Sequence, residues 1–310
     1  MKAQKNIFDD QAESKNALDQ LFSLTIQYGS SQAYLDLLNF ISKFRFYSPF
    51  NAFLIHTQKR GATYVATAQR WYHNYGHRIK QDAQPIVILQ PMGPVMFVFD
   101  IAETEPIPDM KKNVPPIPDH IWKPFEVVSG ELRPGRFDRL IENAKRDGIR
   151  MHFTKEGSCS AGSIQKVNSS SGTQQFRSGQ DKQKRPVVIE IPIDYELRVN
   201  TNGQGEEAQY ATIVHELAHL YCGHFGSRDI RMWPDRQHLD HTTEEFEAES
   251  VSYMVCNRQG IVTTSPEYLA NFARNNEDIP NISMEAVMKA AGLIETMSMV
   301  RMKLRKEQRQ

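Results

Sequence analysis

Residues 213–219 read Ile-Val-His-Glu-Leu-Ala-His, and this stretch decides the fold of the second half of the chain. It contains His-Glu-x-x-His, and residues four apart lie on one face of an α-helix. His215 and His219 can therefore direct imidazole nitrogens at one ion, and such a pair is typical of zinc. Glu216 lies beside them, where a carboxylate can accept a proton from a water molecule that the metal activates. The stretch predicts a zinc site suited to peptide hydrolysis, with Glu216 as its catalytic base.

The surroundings of this stretch favour a metal site over the simpler interpretation, a surface helix with two unrelated histidines. The flanking positions are apolar, so the helix is expected to be mostly buried, and buried imidazole and carboxylate groups need partners. These positions are Ile213, Val214, Leu217, Ala218 and Leu220. A strong strand pattern over residues 187–193 precedes the helix, as a zinc peptidase domain requires.

A third protein ligand is needed, and two regions offer one: His224, and residues 244–249, which read Glu-Glu-Phe-Glu-Ala-Glu. Residues 215–224 resemble the metzincin pattern, but in that family the glycine and the third histidine fall one residue later than here. His224 is therefore a minor candidate. The second region resembles the zinc peptidases with a glutamate ligand, in which an acidic or amide residue follows four positions on. This resemblance implies that Glu245 binds zinc and that Glu249 orients a ligand histidine, and the reverse assignment stays open.

The other acids of this region, Glu244 and Glu247, fit a simpler role. Carboxylates at an exposed helix start are favoured by the helix dipole, so both are predicted to be solvated. The sequence also offers His224, His238, His241 and Tyr253 as donors to a reaction oxyanion.

Cysteine usage indicates the compartment. Cys159, Cys222 and Cys256 are few, odd in number and far apart, which argues against a disulfide framework and predicts a reducing compartment, the cytoplasm. No signal peptide is expected, and no run reaches the roughly 18 apolar residues of a membrane helix. A thiolate from Cys159 or Cys222 could hold the metal in a latent state, with Cys159 the better latch candidate; the alternative is inert buried cysteine.

The formal net charge is zero, but one N-terminal region is cationic. Residues 41–90 carry seven basic side chains against one acid, Asp82, with many aromatic rings between them. This combination suits single-stranded nucleic acid, because cations contact phosphates and rings stack on bases. The predicted surface contacts to single-stranded DNA are Tyr47, Arg70, Trp71 and Arg78. The alternative is a compact domain with a basic surface and no ligand.

The apolar pattern predicts an α+β protein of two domains. Residues 1–104 form the first, with two helices over 9–44, a short helix over 51–58 and a hairpin of strands 86–90 and 95–100. Seven prolines mark residues 105–135 as an extended connector. Residues 136–310 form the second domain, with helices over 137–147 and 243–258, strands over 150–153 and 187–193, and a Ser/Gly/Gln-rich loop or loosely paired strand over 157–184.

Short segments of the N-terminal half resemble the N-terminal domain of ArdC-type antirestriction proteins. They read Ser-Pro-Phe-Asn-Ala at 48–52, Ala-Thr-Ala-Gln-Arg-Trp at 66–71, Pro-Ile-Val at 85–87 and Val-Phe-Asp at 98–100. The C-terminal half resembles the ImmA/IrrE-like metallopeptidases through residues 215–219 and 245–249. In that family an asparagine or aspartate usually stands at the position of Glu249.

The first resemblance implies association with single-stranded DNA. The second implies a zincin-like domain that cleaves a partner transcriptional repressor, often a helix-turn-helix protein, to induce a defence or mobile-element operon. Together they imply a peptidase stimulated by single-stranded DNA. The alternative is an ArdC-type antirestriction protein that shields DNA and uses zinc structurally. Glu216 discriminates between them, because a structural site needs no base beside an open coordination position.

Overall fold

The computed structural model describes residues 31–90, 93–108, 117, 132–155, 161–167, 172–180, 183–227, 229–263, 269 and 279–304. The chain divides into two compact units, Met1–Val127 with Asn276–Asp278, and Val128–Asn275 with Ile279–Gln310. Both units combine helices and strands, so the predicted α+β class is confirmed.

The first unit places helices beside two small antiparallel sheets. Its helices are α1 (Ser31–Lys43), α2 (Pro49–Gln58) and α3 (Ala68–Tyr75), and its strands are β1 (Val65–Ala66), β2 (His77–Ile79), β3 (Ile86–Gln90), β4 (Gly93–Asp100) and β5 (Thr104–Pro106). Strand β4 lies between β1 and β3, and β2 pairs with β5. The hairpin predicted over residues 86–100 is therefore present as β3 and β4.

Side-chain amides of α2 close the outer edge of the β1–β4–β3 sheet. Leu89 donates to Asn51 Oδ1 at 2.9 Å and accepts from Asn51 Nδ2 at 3.0 Å. Val87 makes the same pair of hydrogen bonds with Gln58, at 2.9 and 2.8 Å. Unpaired backbone groups on an edge strand invite pairing with another chain, and these amides satisfy them within the unit.

The second unit carries the predicted metal motif. Its helices are α4 (Arg136–Arg146), α5 (Glu206–Tyr221), α6 (His241–Gln259) and α7 (Met284–Met299), and its strands are β6 (Ile149–Thr154), β7 (Gly162–Lys166), β8 (Thr173–Gln180), β9 (Pro186–Pro192) and β10 (Tyr195–Asn200). Strand β10 is central, parallel to β6 and antiparallel to β7, while β8 pairs with β9. The Ser/Gly/Gln-rich segment predicted as a loop or loosely paired strand thus contributes β7 and β8.

The two helices that carry the motif residues, α5 and α6, are held by apolar packing, and α6 is also capped at its N-terminus. Tyr210, Leu217 and Phe246 are fully or almost fully buried, and burial of such a side chain contributes about 1.5–3 kcal/mol. Asp240 caps α6 by accepting from Thr243 N at 3.0 Å. The register of both helices is therefore set by the core, which fixes the faces that carry histidine and glutamate.

The predicted helix before residue 31 lies outside the described residues. In the part of the chain that the structure does describe, no helix combines the length and apolar character of a membrane span.

Candidate metal centre

Helices α5 and α6 bring three ligand groups together. His215 Nε2 lies 3.2 Å from His219 Nε2. Glu245, from α6, places Oε2 3.6 Å from His215 Nε2 and Oε1 3.4 Å from His219 Nε2. Ligands bonded to a tetrahedral zinc ion at about 2.0–2.1 Å are separated by roughly 3.3 Å, which matches these distances. Two imidazoles and a carboxylate are also a donor set that a divalent ion accepts. The three predicted ligands can therefore hold a divalent metal ion.

His215 is held from its far side by Glu249. The Glu249 carboxylate Oε1 lies 3.4 Å from His215 Nδ1, one helical turn beyond Glu245. Burial, together with the neighbouring His219, lowers the pKa of His215 to about 4, so its imidazole is neutral at pH 7. With Nδ1 facing a carboxylate, the proton of the neutral ring belongs on Nδ1 and the lone pair on Nε2. The structure thus places Glu249 behind His215, a candidate ligand.

Glu216 lies at the wall of a cavity of about 390 Å³ that His215 and Glu249 also line. Burial raises the pKa of Glu216 to about 6, and a hydrogen bond from the backbone of Ile164, on strand β7, opposes that rise. A carboxylate whose pKa lies near neutrality is well matched to accept and return a proton.

A glycine allows strand β7 to lie close to the motif helix. A Cβ on Gly162 would collide with the Thr212 methyl group and would stand 2.9 Å from the carbonyl oxygen of Arg198. Since β7 also supplies the Ile164 contact to Glu216, the close approach positions the predicted base.

His219 is held from its far side by His224, which the sequence offers as a minor candidate ligand and as a possible oxyanion donor. His224 Nδ1 lies 2.9 Å from His219 Nδ1, and its Nε2 lies 3.0 Å from Glu247 Oε2. Both ring nitrogens face protein partners, so in this position His224 is neither the third ligand nor an oxyanion donor.

The prediction that Glu247 is a solvated acid at a helix start is wrong. Its exposed fraction is 0%. Arg236 donates to Oε1 at 2.7 Å and to Oε2 at 2.5 Å, and Ser283 N donates to Oε1 at 2.7 Å. Burial alone would raise the pKa of Glu247, but the hydrogen bonds from His224 and Arg236 outweigh it and hold that pKa below its usual value. Partners from distant segments explain the error, because the local pattern contains none of them.

A tight turn after α5 folds His224 back onto His219. Gly223 has φ +91°, in the left-handed region, and a Cβ at this position would collide with the carbonyl of Pro234. The next residue, His224, donates its backbone N–H to His219 O at 3.0 Å. Gly223, which falls one residue earlier than the metzincin glycine, therefore makes the turn that brings His224 to Nδ1 of His219, a candidate ligand.

The latch hypothesis gains no support from Cys222. Its thiol is fully buried, and burial raises its pKa well above the usual value, so it stays protonated and a poor metal ligand at neutral pH. Cys159, the better latch candidate, lies outside the described residues.

The four predicted DNA contacts differ in exposure. Trp71 is fully buried and donates Nε1–H to Phe99 O at 2.8 Å, so its prediction as a surface residue is wrong. Tyr47 is half-buried and donates to Val65 O at 3.0 Å. Arg78 is exposed but pairs with Glu105 at 2.7 Å, and Arg70 is exposed. Composition indicates a basic, aromatic region but cannot assign each ring to core or surface.

The paired helices and their donors define a candidate metal centre of the His-Glu-x-x-His type with a glutamate third ligand. No protein-family model matches the chain. An uncharacterised protein of Bacillus anthracis is 23% identical over 297 residues, covering 86% of this chain and 48% of that protein. The chain thus spans about half the length of that relative.

Two crystal structures of the antirestriction protein ArdC from plasmid R388 also resemble this chain. One is metal-free and 12% identical, and the other is Mn(II)-bound and 14% identical. Each aligns with a TM-score of 0.33 over 80% of this chain and 81% of its own. Similarity at this level assigns no activity, so the site is interpreted from its own geometry.

Proposed function

We propose that the chain is a zinc-dependent endopeptidase whose metal is held by His215, His219 and Glu245. The observation that carries the proposal is the convergence of these three donors beside a cavity whose wall includes Glu216. Three protein ligands leave a coordination position open, which distinguishes a catalytic from a structural zinc site. Zinc held there supplies Lewis acidity, which lowers the pKa of water to about 7 and polarises a carbonyl group.

Glu216 is the general base and then the general acid of the proposed reaction. Its carboxylate removes a proton from the attacking water and afterwards gives a proton to the amine that leaves when the peptide bond breaks. The raised pKa of about 6 suits both transfers near neutral pH. Glu249 and His224 hold the rings of His215 and His219, so the donor set is fixed before a substrate arrives.

Replacement of Glu216 by glutamine tests the proposal. The change keeps the size of the side chain and removes the base, so peptide hydrolysis should fall about 10²–10⁴-fold. Zinc content, measured by mass spectrometry, should stay the same, because Glu216 is not a ligand. Glu206→Gln, the same chemical change at the exposed start of α5, is the matched control and should hydrolyse peptides as wild type does. Equal hydrolysis by Glu216→Gln and Glu206→Gln would overturn the proposal.

A second candidate function is that of an ArdC-type antirestriction DNA-binding protein that shields DNA, with zinc in a structural role. The observation that favours it is an exposed ring in the first unit. Phe46 is 47% exposed and packs edge-on against Tyr64, with ring centroids 5.3 Å apart. The positive charge of Arg70 acts on the phenols of Tyr47 and Tyr64, partly opposing the rise in their pKa that burial causes. Single strands require stacking rings together with cations, and Phe46 and Arg70 are both exposed in this unit.

Binding of a fluorescent single-stranded oligonucleotide at several salt concentrations tests this second function. Loss of one stacking ring weakens binding by about 1–3 kcal/mol, roughly 5- to 150-fold, so Phe46→Ala should lower affinity by that factor. Arg70→Ala should reduce the salt dependence. Phe97, another exposed phenylalanine of the same unit, offers Phe97→Ala as the control. If Phe46→Ala and Phe97→Ala bind the oligonucleotide with equal affinity, Phe46 does not contact DNA.

The two functions differ in their need for Glu216. If the chain shields DNA, Glu216→Gln should protect DNA from restriction as wild type does; if it is a peptidase, the variant should be inactive. We further propose a helix-turn-helix repressor as the protein substrate and single-stranded DNA as the stimulus. Incubation of the purified protein with the repressor of its own operon, with and without oligonucleotide, tests both. An intact repressor under both conditions contradicts them.

A further inference from the structure

We propose that buried His224 and Glu247, with the partly exposed Arg236, form a relay that fixes the tautomer of His219 and so positions its Nε2 for the metal. The inference rests on the metal site proposed above and adds three positioning residues to it. None of the three side chains reaches the proposed metal position. Arg236 acts on Glu247, Glu247 acts on His224, and His224 acts on His219.

The direction of each hydrogen bond follows from the partner at the end of the relay. Glu247 pairs with both terminal nitrogens of Arg236, and a carboxylate in such a bidentate pair only accepts. His224 must therefore donate Nε2–H across the 3.0 Å contact to Glu247. In the neutral ring the other nitrogen, Nδ1, is then an acceptor.

The same reasoning assigns the proton of His219. Because His224 Nδ1 accepts, His219 Nδ1 must donate across their 2.9 Å contact. The lone pair of His219 then lies on Nε2, the atom that faces His215 and Glu245. The opposite tautomer would place a proton on Nε2 and prevent metal binding. The two candidate ligand histidines are thus fixed in the same sense, His215 by the partly exposed Glu249 and His219 by the buried pair His224 and Glu247.

Cys222, His224 and Glu247 could instead be considered as a second metal site, since their ligand atoms also lie within 4.8 Å of one another. The guanidinium of Arg236 argues against it. It occupies both oxygens of Glu247 and donates to Cys222 O at 3.1 Å, so a positive charge already lies where a cation would bind. Both nitrogens of His224 are also engaged. The geometry favours a relay over a second site.

Two substitutions of His224 in the full-length protein separate relay from packing. His224→Leu removes both hydrogen bonds and should lower the affinity for Zn²⁺ and Co²⁺ by about 10- to 100-fold, the usual effect of losing such a partner. His224→Gln keeps the polarity of the relay, because its amide can donate to Glu247 while its carbonyl accepts from His219. It should therefore bind both metals more tightly than His224→Leu, and the Co²⁺ absorption spectrum should return towards that of wild type.

Glu295→Gln is the matched control for a buried acid. Glu295 pairs with Arg258 at 2.9 Å, away from the proposed ligands, so its loss should destabilise the metal-free protein without changing metal affinity. Affinity is measured by chelator competition, and the unfolding of each metal-free variant is followed by circular dichroism. Equal metal affinities for wild type and His224→Leu, or equal losses for His224→Leu and Glu295→Gln, would overturn the relay. If His224→Leu does not fold, His224→Gln alone tests the relay: a metal affinity about 10- to 100-fold below that of Glu295→Gln, together with a Co²⁺ spectrum unlike that of wild type, overturns it as well.

Wild-type behaviour separates this inference from the proposed function. A wild-type protein that binds neither metal contradicts the metal site itself. A wild-type protein that binds metal but hydrolyses no peptide contradicts the peptidase and leaves the relay standing. If wild type and His224→Leu bind metal equally tightly, the relay is contradicted and the metal site is not.

Discussion

Substitution of Gly223 by alanine should destabilise the second unit and release His224 from His219. Gly223 has φ +91°, a conformation that costs a residue with a Cβ about 1–2 kcal/mol. The new methyl group would also collide with the carbonyl of Pro234, and overpacking of this kind costs about 1–3 kcal/mol more. The free energy of unfolding should therefore fall by about 2–5 kcal/mol.

Gly135→Ala isolates the steric part of this effect. Gly135 also has a positive φ, +78°, but no described atom lies within 4 Å of a Cβ built on it. It should therefore show only the conformational loss of about 1–2 kcal/mol. Urea unfolding of both variants, followed by circular dichroism, gives the difference, and chelator competition should show weaker metal binding for Gly223→Ala alone. Equal destabilisation by the two substitutions, or unchanged metal affinity in Gly223→Ala, would refute the reasoning.

Three further predictions concern other parts of the chain. Gly162→Ala should lower peptide hydrolysis at least tenfold with zinc content unchanged, because the collision with Thr212 moves β7 away from Glu216. Unchanged hydrolysis by Gly162→Ala would contradict this role of β7. The pKa of His56 is lowered from 6.5 to about 4 by burial and by Arg60. As the pH falls, His56 is therefore protonated in the unfolded state before it is protonated in the folded state. Stability from this residue is then complete above pH 6.5 and lost as the pH falls towards 4, and His56→Gln should flatten that part of the curve of unfolding free energy against pH. Removal of metal by a chelator should lower the unfolding temperature, and excess Zn²⁺ should restore it, because a ligand that binds only the folded state stabilises it by about 2.7 kcal/mol at 100 times its Kd. An unfolding temperature insensitive to both additions would contradict the metal site.

Helix periodicity predicted the histidine pair of the candidate metal centre, and a family resemblance added Glu245 and Glu249. His215 and His219 lie one helical turn apart, so their convergence follows from the helix alone. Glu245 and Glu249 share the same spacing on a second helix, and the structure brings both to His215. Where candidate ligands lie on one face of a helix, their relative positions follow from their spacing in the sequence.

The relay could not be predicted in the same way, because its members come from separate segments. His224 follows α5 and Arg236 lies in the segment before α6, while Ser283, which also donates to Glu247, caps α7. The buried neighbours Phe246 and Ala248 could have indicated that Glu247 faces inward, but no local pattern names its partners. The sequence left residues 157–184 open between a loop and a loosely paired strand for a related reason, since β7 becomes a strand by pairing with β10, about 30 residues later in the chain.

The hydrogen bond from Ser283 N to Glu247 has a consequence for the order in which the centre matures during synthesis. The three candidate metal ligands, His224 and Arg236 all leave the ribosome before Ser283 and helix α7 do. Until α7 arrives, the buried carboxylate lacks one of its donors, and an unsatisfied buried acceptor is unfavourable. The last described helix therefore completes the support of the metal site, so a nascent chain should acquire its full metal affinity only after residues 283–299 have emerged.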